Sequence, residues 1–231
     1  MATAQKSNIK LLLMGKAGAG KTSMHSIIFA NLPACDTSGI PWTKDVEESK
    51  IKFLGMGISI NDCGGQDNLF DHYFNKLPDR IFSNVKVLIY VFDVMHMSTE
   101  SIEQYEKTLS FLIKYSPKAK VFVLIHKMDL AQDRQKTFAI AKNTIMSCSG
   151  AEHVLECFPT TIWDPTLYQA WARMVQTVVP DLGVLTESLE RFGSIIECDE
   201  IILFEKSTFL IIGKKKNSFL SIKKSQLVTD S

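Results

Sequence analysis

Ile9-Lys10-Leu11-Leu12-Leu13-Met14 runs directly into Gly15-Lys16-Ala17-Gly18-Ala19-Gly20-Lys21-Thr22. A short, mostly apolar run ending in a glycine-rich turn suits a buried parallel strand. The stretch after it matches the phosphate-binding loop pattern in full. Its glycines let backbone N–H groups wrap the α- and β-phosphates, Lys21 reaches the β/γ-oxygens, and the Thr22 hydroxyl can ligate Mg²⁺. Lys21 to Asn31 then reads as a helix, stopped by Pro33. Strand, loop and helix in that order open a nucleotide-binding α/β fold.

Working outward, residues 34 to 44 carry Gly39 and Pro41 and read as a polar loop. Two strands are expected over 49–54 and 58–62, with Gly55 and Gly57 marking the turn between them. A loop and helix run through Phe74. Val85–Phe92 is the clearest strand of the chain, and Ser98 to Tyr115 a helix with Ser98 as its cap. A strand over 121–125, a polar helix over 133–146, a strand over 154–158 and a helix over 167–179 follow. Such alternation means an α/β fold with a mixed, mostly parallel sheet between helices, binding ligands at the carboxyl ends of its strands. Pro180-Asp181 breaks the pattern, so one domain is expected over 1–179 and a small module over 180–231. That module reads as an amphipathic helix (Leu182, Leu185, Leu189, Phe192, Ile195, Ile196) and a hairpin of 201–204 with 209–212. It is too small to bury its own apolar faces.

Further motifs fall just after the expected strands. In Asp62-Cys63-Gly64-Gly65-Gln66, the acid can hold Mg²⁺, a glycine N–H such as that of Gly65 can contact the γ-phosphate, and Gln66 can orient an attacking water. Thr43 is the best second hydroxyl ligand for Mg²⁺, with Thr37 as its competitor. In His126-Lys127-Met128-Asp129, the Asp129 carboxylate suits guanine, whose N1–H and 2-amino group both donate. The stem of Lys127 can lie along base and ribose, and Thr161-Ile162 can offer a backbone N–H to guanine O6. No Arg lies between Gly15 and Asp62, so the first mobile loop holds no arginine finger, and Ala17 places a methyl beside the γ-phosphate. Slow unaided GTP hydrolysis, accelerated by a partner, is the expectation.

Composition narrows the class. With 231 residues, 45% apolar and 22% charged, the chain can bury a core, and a net charge of +1 argues against a nucleic-acid partner. Five scattered Cys without a C-x-x-C pair read as reduced cytosolic thiols. Nothing approaches a membrane span, position 2 is Ala2 rather than a myristoylation glycine, and Val228-Thr229-Asp230-Ser231 is no prenylation box. A direct membrane anchor is therefore not expected. Lys214-Lys215-Lys216 with Lys223-Lys224 reads as a solvated turn. His25, His72, His96 and His153 lack ligand spacing, and Trp163 and Trp171 read as packing residues.

From Ile9 to Ile212 the chain resembles the Rag GTPases of the RagA/RagB (Gtr) type. The likeness is carried by Leu12-Leu13-Met14-Gly15-Lys16 with Gly18 and Gly20-Lys21-Thr22-Ser23-Met24, then by Ser26-Ile27-Ile28-Phe29-Ala30-Asn31 and Asp45-Val46-Glu47. It continues through Asp62–Asp67, Val87–Val94, His126–Leu130 (with His126 in place of the usual Asn) and Ile162-Trp163-Asp164. The resemblance implies a switch between GTP and GDP that uses Mg²⁺. Nucleotide contacts come from Gly15, Lys16, Ala17, Gly18, Ala19, Gly20, Lys21, Thr22, Ser23, Thr43, Gly65, His126, Lys127, Asp129, Thr161 and Ile162. Thr22, Thr43 and Asp62 take the metal, and Gln66 is catalytic; the likeness favours Thr43 over Thr37. It also implies a RagC/RagD-type heterodimer partner, a GTPase-activating protein, and a scaffold complex that recruits the cytoplasmic protein to the lysosome or vacuole. The target-of-rapamycin complex is the implied effector, answering amino-acid supply. The C-terminal module is then a partial roadblock-like α+β unit. Ala17, Ala19 and Pro41-Trp42 depart from the family. Alternative readings are a stand-alone Arf/Ras-like GTPase in trafficking, a non-hydrolysing nucleotide-dependent adaptor, or an ATP-using P-loop kinase, the last disfavoured by Asp129.

Overall fold

A computed structural model describes residues 9–148, 154–179 and 182–216. His153, Pro180-Asp181, Lys223-Lys224 and both chain ends lie outside them. The chain divides into two compact units, Met1–Ala170 and Trp171–Ser231.

In the first, β1 (Ile9–Met14), β2 (Val46–Phe53), β3 (Met56–Cys63), β4 (Val85–Asp93), β5 (Lys120–His126) and β6 (Val154–Pro159) make one sheet. The order is β2-β3-β1-β4-β5-β6. Only the β2–β3 hairpin is antiparallel; every other pairing is parallel. Leu12, Met14, Leu88, Tyr90, Phe92, Val123 and Ile125 join one buried cluster with residues of α2 (Asp67–Asn75), α4 (Thr99–Tyr115) and α5 (Arg134–Met146). Leu11, Leu13, Ile89, Val91, Phe122 and Leu124 alternate with them and are also buried. The sheet is thus covered on both faces, as a parallel sheet requires. Met24, Ile27 and Ile28 are the buried apolar side chains of α1 (Lys21–Ala30). The expected cap of α4 is present, Ser98 Oγ accepting from the Ser101 N–H, and α5 is capped in the same way by Asp133 Oδ1, which accepts from the Lys136 N–H.

Several boundaries differ from the sequence reading. β2 begins at Val46, and Gly57 lies inside β3 opposite Lys52. The turn is Leu54-Gly55, both at positive φ, the primed geometry that suits a two-residue hairpin. Residues 34–39 form a 3-10 turn in the expected loop, closed by the Thr37 hydroxyl on the Ala34 carbonyl at 2.8 Å. A short helix not foreseen, α3 (Pro78–Phe82), starts with Pro at its first position and buries Ile81 and Phe82. Its last carbonyls are bonded by the Lys10 ammonium, 2.8 Å from Arg80 O and Ile81 O and 3.2 Å from Ser83 O. α6 (Thr166–Gln176) starts one residue early and ends before Val179; the division between the two units falls inside it.

In the second unit, α7 (Leu182–Ile195) packs on the hairpin of β7 (Glu200–Phe204) and β8 (Ile211–Lys216). Glu205 closes the turn by accepting from the Ser207 and Thr208 N–H groups. Phe209 belongs to this turn at φ 57 rather than to a strand. Lys214–Lys216 is strand, not turn, and Lys214 and Lys215 pair with Glu200 and Glu190. Phe192, Ile195, Phe204 and Phe209 are exposed, as expected of a module too small to cover its own apolar faces.

Candidate functional site

The loops after β1, β3 and β5 meet at the carboxyl edge of the sheet, because β3-β1-β4-β5 are neighbours. Lys21, only 5% exposed, turns back under the first loop and donates to Gly15 O at 2.6 Å and Lys16 O at 2.9 Å. Thr22 Oγ1 donates to Asp62 Oδ2 at 2.7 Å and lies 2.7 Å from Thr43 Oγ1, which must then donate to it. Residues 22, 43 and 62 thereby converge from helix, loop and strand. Thr37 is elsewhere, inside the 3-10 turn.

Charge tells the same story. Burial pushes Lys21 down to about 8, and pushes Asp62 up to about 6 against the opposing bond from Thr22. Asp62 Oδ1 is buried without a hydrogen-bond partner. A polyphosphate beside Lys21 and a divalent cation beside Asp62 would reverse both shifts. Two hydroxyls and a carboxylate are the hard oxygen donors that suit Mg²⁺. The residues present fit these groups.

A cleft of about 200 Å³ is lined by the first loop, by Trp42 and Thr43, and by Gly65 and Gln66. The Ala17 N–H donates to Gly65 O at 2.8 Å, so the loop after β3 closes directly on the phosphate-binding loop. Gln66 Oε1 is buried and unpartnered on the same wall. Trp42, beside buried Thr43, is 74% exposed.

On the other side of the first loop stand the base-reading candidates. Asp129 Oδ1 accepts from Thr161 Oγ1, which fixes the carboxylate's direction. The Thr161 N–H faces Thr166 Oγ1 at 3.2 Å, and Thr166 is in turn held by Asp164. Lys127 sits in the left-handed region at φ 62 and donates to Asp93 Oδ2 at 2.8 Å. His126 lies deeper than its motif neighbours. It is 2% exposed, its Nδ1 is 2.9 Å from Thr160 Oγ1, and a Cβ placed on Gly20 would fall 2.8 Å from its Cδ2. Burial, with Lys127 nearby, lowers it to about 4, so the ring is neutral. His126 joins the base-reading loop to the phosphate loop from beneath.

The family model described as the Gtr1/RagA G protein conserved region matches residues 10–230. This chain belongs to the Gtr1/RagA G protein family. It is therefore a GTP-binding protein and GTPase of the Rag/Gtr type. It is 48% identical over 212 residues to GTP-binding protein GTR1 of Saccharomyces cerevisiae, covering 88% of this chain and 67% of that one. Ras-related GTP-binding protein A of Dictyostelium discoideum is 44% identical over 208 residues, covering 88% and 69%. GTP-binding protein GTR2 of Saccharomyces cerevisiae is more distant, 26% identical over 224 residues, covering 93% and 64%. The chain thus spans about two thirds of the length of these relatives. Within the Gtr1/RagA family it stands nearer to GTR1 than to GTR2.

Two residues of this Rag-type site escaped the sequence reading. Asp93 stood only within the Val87–Val94 stretch of the resemblance, with no role given to it, and Thr160 only as the residue before Thr161. The pairing of Asp93 with His126 across β4 and β5 supplies the missing signal. Trp171 is fully buried, whereas Trp163 is 60% exposed, against the expectation that it packs. Among the described residues no helix is long and apolar enough to cross a membrane.

Proposed function

We propose that this GTPase acts as a Mg²⁺-dependent switch and as one half of a heterodimer with a RagC/RagD-type chain. The observation that carries the switch reading is the convergence of Thr22, Thr43 and Asp62 beneath the phosphate-binding loop. The N–H groups of residues 15–23 and Lys21 hold the phosphates, and Thr22, Thr43 and Asp62 hold the metal. Bound Mg²⁺ would neutralise charge on the β- and γ-oxygens. Thr43 and Gly65 belong to the two loops that respond to the γ-phosphate. A γ-phosphate competes with Gly65 O for the Ala17 N–H, so its arrival and loss move the loop carrying Gln66. Gln66 orients the attacking water. Asp129 reads guanine N1–H and the 2-amino group, and with the Thr161 N–H turned to Thr166, the Ile162 N–H takes O6. Lys127 flanks the base, and His126 sets the distance between base and phosphate loops.

Ala17 and the lack of any Arg between Gly15 and Asp62 support slow unaided turnover, on the order of 10⁻⁴ s⁻¹. Single-turnover hydrolysis by the purified, GTP-loaded chain tests this. Gln66→Leu should slow it further by about tenfold. An unchanged rate in Gln66→Leu would favour the adaptor reading, and turnover near 1 s⁻¹ would exclude a dependence on a partner's activation.

The likeness to GTR1 and to Ras-related GTP-binding protein A supports a role in amino-acid signalling to the target-of-rapamycin complex. A scaffold at the lysosome or vacuole surface then holds the heterodimer, and a GTPase-activating protein turns this half off. Residues 180–231 form part of a roadblock-like module whose exposed Phe192, Ile195 and Phe204 are covered in the assembly. Capture of the chain by a RagC/RagD-type protein from its own cell checks the pairing. A folded, GTP-binding chain that captures none would point to a solitary switch.

A further inference from the structure

Asp93 closes β4 opposite His126, the last residue of β5, so strand register brings it beside the residue that follows, Lys127. Its side chain is only 10% exposed and fully engaged. Oδ1 accepts from the Met95 N–H at 2.9 Å, while Oδ2 accepts from Lys127 Nζ at 2.8 Å and lies 3.0 Å from His96 Nδ1. Burial alone would raise this carboxyl, but the bonds from Lys127, Met95 and His96 outweigh it and hold it below its ordinary range.

Lys127 needs such a hold. Its backbone is in the left-handed region, which a side chain with a Cβ adopts only when its surroundings impose it. Its long stem has many rotamers in solution, and ordering them costs free energy each time a ligand binds. Lys127, Asp93 and His96 line one cavity of about 590 Å³ with Lys16, Ala17 and Gly18 of the phosphate-binding loop. The ammonium is therefore tied down at the wall of the nucleotide cleft, and it does not swing free.

We propose that Asp93 is the positioning residue for Lys127: its carboxylate anchors the ammonium, extends the stem as a flat wall for base and ribose, and so sets how long guanine nucleotide stays bound. This rests on the guanine-nucleotide reading of the site. Asp93 touches no nucleotide in this scheme and acts through Lys127 alone. Asn at this position keeps the shape and an acceptor for the Met95 N–H, yet loses the charge that holds the ammonium.

The test is the release rate of a fluorescent GDP analogue from the purified chain, in wild type, Asp93→Asn, Lys127→Met and the double variant. Asp93→Asn should release it about tenfold faster, as for the loss of one charge-assisted hydrogen bond. Because Asp93 works through Lys127, the double variant should release no faster than Lys127→Met alone. An unchanged rate in Asp93→Asn, or effects that multiply in the double variant, would overturn the proposal, since a merely structural role adds independently. Asp93→Glu, which keeps the charge but displaces it, should fall between wild type and Asn; a wild-type rate in it also counts against the anchor. If the wild-type chain retains no GDP analogue, the guanine reading fails and the proposal with it. If it retains the analogue and depends on Asp129 but not on Asp93, only the proposal fails.

Discussion

Asp129→Asn should lower affinity for GTP and GDP by roughly two to three orders of magnitude and create a preference for xanthosine nucleotides. Guanine presents two donors, N1–H and the 2-amino group, to a group that must accept twice. Asp129 is aimed for this by Thr161, whose hydroxyl occupies part of Oδ1 and prevents the carboxylate from turning. An amide in its place accepts once and donates once. Against guanine the donor meets the 2-amino group, so two donors face each other and neither is paired. Against xanthine, whose position 2 carries an oxygen, the same donor is satisfied. Thr161 can still donate to the amide oxygen, so the variant should fold normally. Competition of GTP and XTP for a bound fluorescent nucleotide decides the matter. A variant that keeps its guanine preference would remove Asp129 from the base-reading role and leave only the phosphate contacts in evidence.

Gly15→Ala should destabilise the G domain by about 3–5 kcal/mol, the sum of backbone strain and forced overpacking. Gly15 has φ +143, a region closed to side chains, and a Cβ there would stand 2.2 Å from the carbonyl oxygen of Val91. That neighbour is backbone in the middle of the sheet and cannot swing aside. The first loop leaves β1 pressed against β4, and only glycine allows the approach. Gly18→Ala is the matched control, since Gly18 has φ +77 but nothing within 4 Å of the added methyl. It should cost only the left-handed backbone term, about 1–2 kcal/mol. Thermal unfolding of the two variants should place Gly15→Ala the lower by about 4–12 °C for a chain of this size. Equal midpoints would mean that β4 yields more easily than its burial implies.

Sequence was most informative where function is local. The residues from Gly15 to Thr22, from Asp62 to Gln66 and from Lys127 to Asp129 are each a short stretch of neighbouring positions at the end of one strand, so residue type and spacing already carry their chemistry. Strands β1, β4 and β5 were legible for a related reason. Burial on both faces makes them nearly continuous apolar runs, and turns punctuate them. The hairpin shows the weaker case. Gly55 and Gly57 were both read into its turn, and only pairing with Lys52 puts Gly57 in the strand.

Tertiary structure decided whatever depends on residues far apart in the chain. α3 is five residues long, too short to show a period, and its last carbonyls are satisfied by Lys10 from a strand about seventy positions away. Thr43 was separated from Thr37 by resemblance, but its place 2.7 Å from Thr22 follows from the sheet order and the loop that crosses to it. The motif containing His126 suggested contact with nucleotide; the fold buries its ring under Gly20, where it braces one loop against another. The ion pair of Asp93 with Lys127 exists because β4 and β5 are neighbours in register, thirty-four positions apart in sequence. Local pattern names the groups that can do chemistry. Which of them meet is set by strand order, because pairing energy belongs to the whole sheet and not to any one segment of it.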